Sequence, residues 1–122
     1  MTMNKSLGKA ILTATVLLLA SPASAANGSF TQLPLTQLLV VTGIGGAQVG
    51  LLVFGSNAST PNACTTAPRD RMAVNLNTSK GTAIMNLARA ALHAKKTLTV
   101  SGAGTCNLAT GIEDVSTVTV YP

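Results

Sequence analysis

From Ala10 to Pro68 the chain runs 59 residues without one Asp, Glu, Lys or Arg. Such a stretch cannot be kept in water by ionic side chains, so each part of it must be removed, be buried, or be solvated through hydroxyls and amides. Charged residues make up only 9% of the whole 122-residue chain, against about a quarter in an ordinary soluble domain. That excludes a disordered tail, a charged coiled coil and a salt-bridged helical bundle.

The first part of the gap reads as an export leader over residues 1–25. Lys5 and Lys9 form a basic start, Ile11 to Ala20 is a short apolar run, and Ser21-Pro22-Ala23-Ser24-Ala25 is a breaker with small residues at Ala-x-Ala spacing. A run of ten residues, broken by Thr13 and Thr15, falls well short of the roughly 20 that span a bilayer. Cleavage after Ala25 leaves a single domain, 26–122, with six basic and three acidic residues. The expected location is secreted or periplasmic, with no membrane attachment once the leader is gone. In that oxidising setting an even pair of cysteines is expected to be bridged. A Cys64–Cys106 bond spans 42 positions and would stabilise the fold by about 4 kcal/mol in the chain-entropy model. One histidine and two distant cysteines do not make a metal shell, so neither metal nor cofactor is expected.

The second part, Phe30 to Val41, is apolar and threonine-rich and carries Pro34; the cluster Gly43-Ile44-Gly45-Gly46 separates it from Ala47 to Gly55. Turn residues between such runs predict a hairpin. Pro34 cannot donate to a ladder, so its strand starts there, is an edge there or is bulged. The glycines lack the spacing and the Lys-Ser/Thr ending of a phosphate loop. After the polar loop Ser56 to Pro68, Met72, Val74 and Leu76 alternate with Ala73, Asn75 and Asn77, the pattern of a half-buried strand.

Thr78 or Ser79 then caps a helix from Lys80 to about Lys96. Its apolar stripe is Ile84, Leu87, Ala88, Ala91 and Leu92, while Asn86, Arg89, His93 and Lys96 recur on another face. Thr97 to Ser101 and Val115 to Tyr121 are strands, the latter with Val118 and Val120 opposite Thr117 and Thr119. Threonine accounts for the missing charge, since its hydroxyl faces water while its branch suits the pleat. The order β-β-β-α-β-β is that of an OB-type five-stranded barrel; an open α+β sheet with one helix on it is the alternative.

Arg71 to Ala83, Lys96 to Cys106 and Glu113-Asp114-Val115 resemble a group of small exported bacterial proteins. That group is similar in layout to the binding subunits of subtilase-type and pertussis-like AB toxins, and the likeness covers roughly 69–120. The resemblance implies an OB-type barrel, a disulfide and a ring of subunits that binds cell-surface glycans. In a ring, the Asn86, Arg89, His93 and Lys96 face would line a pore or interface. No sugar-binding residue carries over, because Phe30 to Gly55 holds no matching motif and Phe30, Phe54 and Tyr121 are the only aromatics.

No catalytic set is visible. His93 has Arg89 and Lys96 for neighbours on its face and no orienting carboxylate. A carboxylate pair would have to join Asp70 to Glu113 or Asp114 across the fold, whereas a local ion pair or a strand-end charge explains each acid. Nucleic-acid binding is not expected, since six dispersed cations with almost no rings make a poor stacking groove. The sequons at Asn27, Asn57 and Asn77 read as chance matches. The expectation is therefore a secreted, non-enzymatic binding module, homo-oligomeric, with a glycan or protein partner. The alternative is a membrane-active protein that inserts the Leu38 to Phe54 hairpin in lipid, against which its four glycines, Gln48 and Thr42 count.

Overall fold

A computed structural model describes residues 27–58, 62–66 and 68–122; the proposed leader, 1–25, lies outside them. The elements in order are β1 (Ser29–Pro34), β2 (Gln37–Thr42), a 3-10 turn (Ile44–Gly46), β3 (Gln48–Val53), β4 (Arg71–Asn75), α1 (Ser79–Ala94), β5 (Thr97–Gly102) and β6 (Val115–Tyr121). The protein is mainly β with one helix. The strands form two three-stranded antiparallel sheets, β1-β5-β6 and β2-β3-β4.

Among the described residues six strands replace the expected five, and no closed sheet forms. The cause lies in Phe30 to Val41, which is divided rather than continuous. Gln32 takes a left-handed conformation (φ 49°), the β1·β5 register shifts between Phe30 and Leu33, and Pro34 ends the strand. Pro34 has no N–H with which to continue a ladder. The chain therefore turns and serves the second sheet, with Gln37 opposite Val53 and Thr42 opposite Gln48. The expected hairpin over the glycine cluster is this β2–β3 pair, its tight turn carried by Gly45 and Gly46 at positive φ. The sheets also meet through a single parallel bridge, Ala73 to Asp114, where the Ala73 N–H donates to the Glu113 carbonyl at 2.9 Å.

Two apolar clusters account for much of the uncharged gap. The larger lies between the sheets and the helix and holds Phe30, Leu52, Phe54, Met72, Val74, Met85, Ala88, Leu98 and Val100. Phe30 and Phe54 stack there at 4.2 Å between ring centres, so two of the three aromatic rings are removed from the surface. The smaller cluster, Val49, Leu51, Val53 and Ala73, lies on the opposite face of β3 and β4, under Leu108 and Ile112. Strand β3 is thus buried on both faces. A strand in that position reads as an unbroken apolar run, as parallel core strands do, and the protein's own residues cover Val49 to Phe54. Strand β4 corrects a second expectation: Ala73, assigned to a polar face, is fully buried.

The helix differs from its sequence pattern in two ways. Met85, which touches Gly50, is a buried contact alongside Ala88 and Ala91, while Leu87 from the expected stripe is 43% exposed. The helix also ends at Ala94, because Lys95 turns left-handed (φ 56°) and the Lys96 N–H returns to the Ala91 carbonyl at 2.9 Å. That reversal is the usual helix-terminating geometry, here without the usual glycine. No helix among the described residues is long and apolar enough to cross a membrane.

Candidate binding cleft

One wall of the cleft is the junction of β4 and α1. The Thr78 hydroxyl accepts from the Gly81 N–H at 2.9 Å and donates to the Asn75 carbonyl at 3.1 Å. The Asn75 side-chain oxygen accepts from the Asn77 N–H at 2.9 Å. Thr78 is therefore an N-cap of the expected kind, tied back to the strand it leaves. Gly81 is required by contact: a Cβ there would collide with the Asn75 carbonyl oxygen.

The other wall is the β5–β6 loop, and the two adjacent acids hold it. Asp114, 9% exposed, accepts from the Thr105 hydroxyl at 2.7 Å, the Asn107 N–H at 3.0 Å and the Leu108 N–H at 3.2 Å. Glu113, 3% exposed, accepts from the Gly28 N–H at 2.9 Å and the Gly104 N–H at 2.9 Å. Buried carboxylates need such partners, and here they are backbone amides and the Thr105 hydroxyl rather than cations. Gly102 is pressed against the Glu113 carboxylate, where any Cβ would overlap its oxygens. The Cys64–Cys106 disulfide, expected from export, is formed. It fastens this loop to the one preceding β4, and Ile44 adds a bond from its N–H to the Leu108 carbonyl at 2.8 Å.

Between the walls is a cavity of about 320 Å³, at the lower end of small-molecule sites. Val74, Ile84, Leu108 and Val115 give it apolar surface; Asn75, Thr78, Lys80, Asn107 and Asp114 give it polar surface.

None of the expected face residues lines this cleft. Asn86, Arg89 and His93 project from the exposed side of α1, whereas Lys96 is half-buried beyond the left-handed Lys95 and off the helix. Asp70 makes the local ion pair expected of it, at 2.8 Å to the adjacent Arg71. Glu113 and Asp114 do precede a strand, but they are buried hydrogen-bond acceptors and not solvated strand-end charges. Among the described residues no three His, Cys, Asp or Glu side chains converge as a metal site would require. Val74, Thr78 and Ile84 are legible as a strand residue, a cap and part of the helix stripe, but nothing in the sequence marks a shared cleft. The one clue was two adjacent acids in a chain with only three.

No known protein-family model matches the chain, and comparison with curated proteins and with solved structures returned no match.

Proposed function

We propose that the chain is an exported, non-enzymatic binding module of the OB type that assembles as a homo-oligomer and takes a glycan or protein partner. The order of pairing supports the OB reading: β2, β3 and β4 follow one another, the parallel bridge leads from β4 to the start of β6, and β6 leads through β5 back to β1. Because β1 and β2 are successive parts of one apolar run, this is the neighbour order of a five-stranded barrel with a broken first strand.

The observation that carries the assembly is the state of the sheet edges. Strand β2 is an edge of one sheet and β6 an edge of the other, and neither contains a charge or an internal proline. Proteins that stay monomeric blunt such edges with Lys, Pro or a covering element. Val40 on β2 is 67% exposed. Joining β2 of one copy to β6 of the next is a heterologous contact, and such contacts close rings when the rotation permits. The exposed Asn86, Arg89 and His93 face of α1 is then available to a pore or neighbour, while Lys96 is withdrawn from it.

Light scattering on the oxidised chain beginning at Ala26 tests the assembly. A discrete oligomer is expected, with Val40→Lys converting it to a folded monomer; a strict monomer at high concentration overturns it. A glycan array on the same material tests the ligand, and silence from a well-folded sample overturns the glycan reading.

A further inference from the structure

The cleft has an unequal supply of hydrogen-bonding groups. Asp114, its one acid, already accepts three hydrogen bonds. The Asn75 side-chain oxygen is engaged by Asn77 while its NH₂ has no partner among the described residues. The Asn107 amide and the Lys80 ammonium likewise carry no side-chain bond. The unengaged groups at the mouth are therefore the NH₂ of Asn75, the whole side-chain amide of Asn107 and one cation, Lys80.

Lys80 is also poorly explained by its helix. It is the second residue of α1, whose first turn has no acid. A cation there opposes the helix dipole. Its site on the cleft rim supplies a role that helix stability does not.

We propose that this cleft binds a small organic monocarboxylate, with the carboxylate held at the outer rim by Lys80 and the Asn75 and Asn107 amides. Resting on the binding-module reading above, this names the ligand class. The orientation follows from Asp114: its charge in the wall repels a second anion, so the ligand's uncharged body turns inward onto Ile84, Leu108 and Val115. A single lysine matches a monoanion, and the four aliphatic side chains match a body that is at least partly apolar. Free aliphatic acids and uronic-acid sugars share this chemistry.

The test is a methyl and amide chemical-shift titration of the oxidised protein with hexanoate and with methyl glucuronoside. Hexanol and methyl glucoside serve as uncharged counterparts. Shifts are expected at Ile84, Leu108 and Val115 with an acid and not with its neutral counterpart. Binding should weaken roughly tenfold in Lys80→Gln, as for loss of a hydrogen bond to a charged group, and recover in Lys80→Arg. Whichever acid binds more tightly identifies the source. Equal binding of a neutral counterpart, or indifference to Lys80→Gln, overturns the carboxylate assignment and leaves the binding module standing. Glycan-array binding with the cleft resonances unmoved removes this site while retaining the module.

Discussion

Replacing Glu113 by Gln tests whether backbone amides can hold a buried carboxylate in place of a cation. The two side chains are nearly the same size, so packing is preserved while one oxygen becomes an NH₂. In the native protein Oε1 accepts from Gly28 at 2.9 Å, and Oε2 accepts from Gly104 at 2.9 Å and from Gly28 at 3.2 Å. Glutamine can serve only one of these directions; the other becomes donor against donor. A hydrogen bond to a charged group contributes about 1.5–3 kcal/mol, and a buried donor left without a partner costs about 1–3 kcal/mol. The two figures overlap in part, so the expected loss is about 3 kcal/mol. In urea, at a slope of about 1–3 kcal/mol per molar, that lowers the midpoint by roughly 1–3 M. The assay is urea denaturation followed by far-UV circular dichroism, because the chain has no tryptophan and one tyrosine. Amide hydrogen exchange in native buffer locates the effect, with protection lost first at Gly28 and Gly104. A loss under about 1 kcal/mol with those two amides as protected as before would refute the reasoning.

Three further outcomes are expected. Removing the disulfide as Cys64→Ala with Cys106→Ala should cost about 4 kcal/mol for a loop of this span, read from the shift in urea midpoint, and should broaden the Asn107 and Leu108 resonances. Gly81→Ala gains about 1 kcal/mol of helix propensity yet should be net destabilising in calorimetry, because the new methyl meets the Asn75 carbonyl; a higher melting temperature would show that the β4–α1 junction yields. Thr65→Val should be neutral or stabilising by up to about 1 kcal/mol, since the Thr65 hydroxyl is buried without a partner among the described residues and a methyl removes that unmet demand; clear destabilisation in the same calorimetric scan would count against it.

Local rules read correctly where the cause is local. The glycine turn, the threonine cap at position 78 and the alternation of β5 and β6 rest on neighbours, and the cysteine pairing on an even count of two. Pro34 illustrates the limit: the sequence allows a start, an edge or a bulge, and the choice depends on pairing with Thr97 to Ser101, more than 60 residues away. Ala73 lies on the side that the alternation gives it, but alanine is too small to show that this side is buried, and Leu108 and Ile112 that cover it come from a distant loop. Met85 and Leu87 exchanged roles because hydrophobicity alone does not set the angle at which a helix meets a sheet. The cleft is the least legible feature. It consists of amides, a hydroxyl and backbone N–H groups from segments some 30 residues apart, and none of these forms a motif.

The placement of the acids bears on the proposed self-association. Glu113 and Asp114 are buried against amides and Asp70 is paired with Arg71, whereas Arg69, Lys80, Arg89 and Lys95 are exposed. The solvent-facing charge is therefore essentially of one sign, and approaching copies repel one another over about a Debye length, roughly 30 Å at 0.01 M salt and 8 Å at 0.15 M. Edges that join through uncharged backbone gain nothing from that field. For the proposed oligomer, added salt is accordingly expected to tighten self-association, the opposite of its effect on assemblies held by ion pairs, and dilution into low-salt buffer to separate the copies most gently.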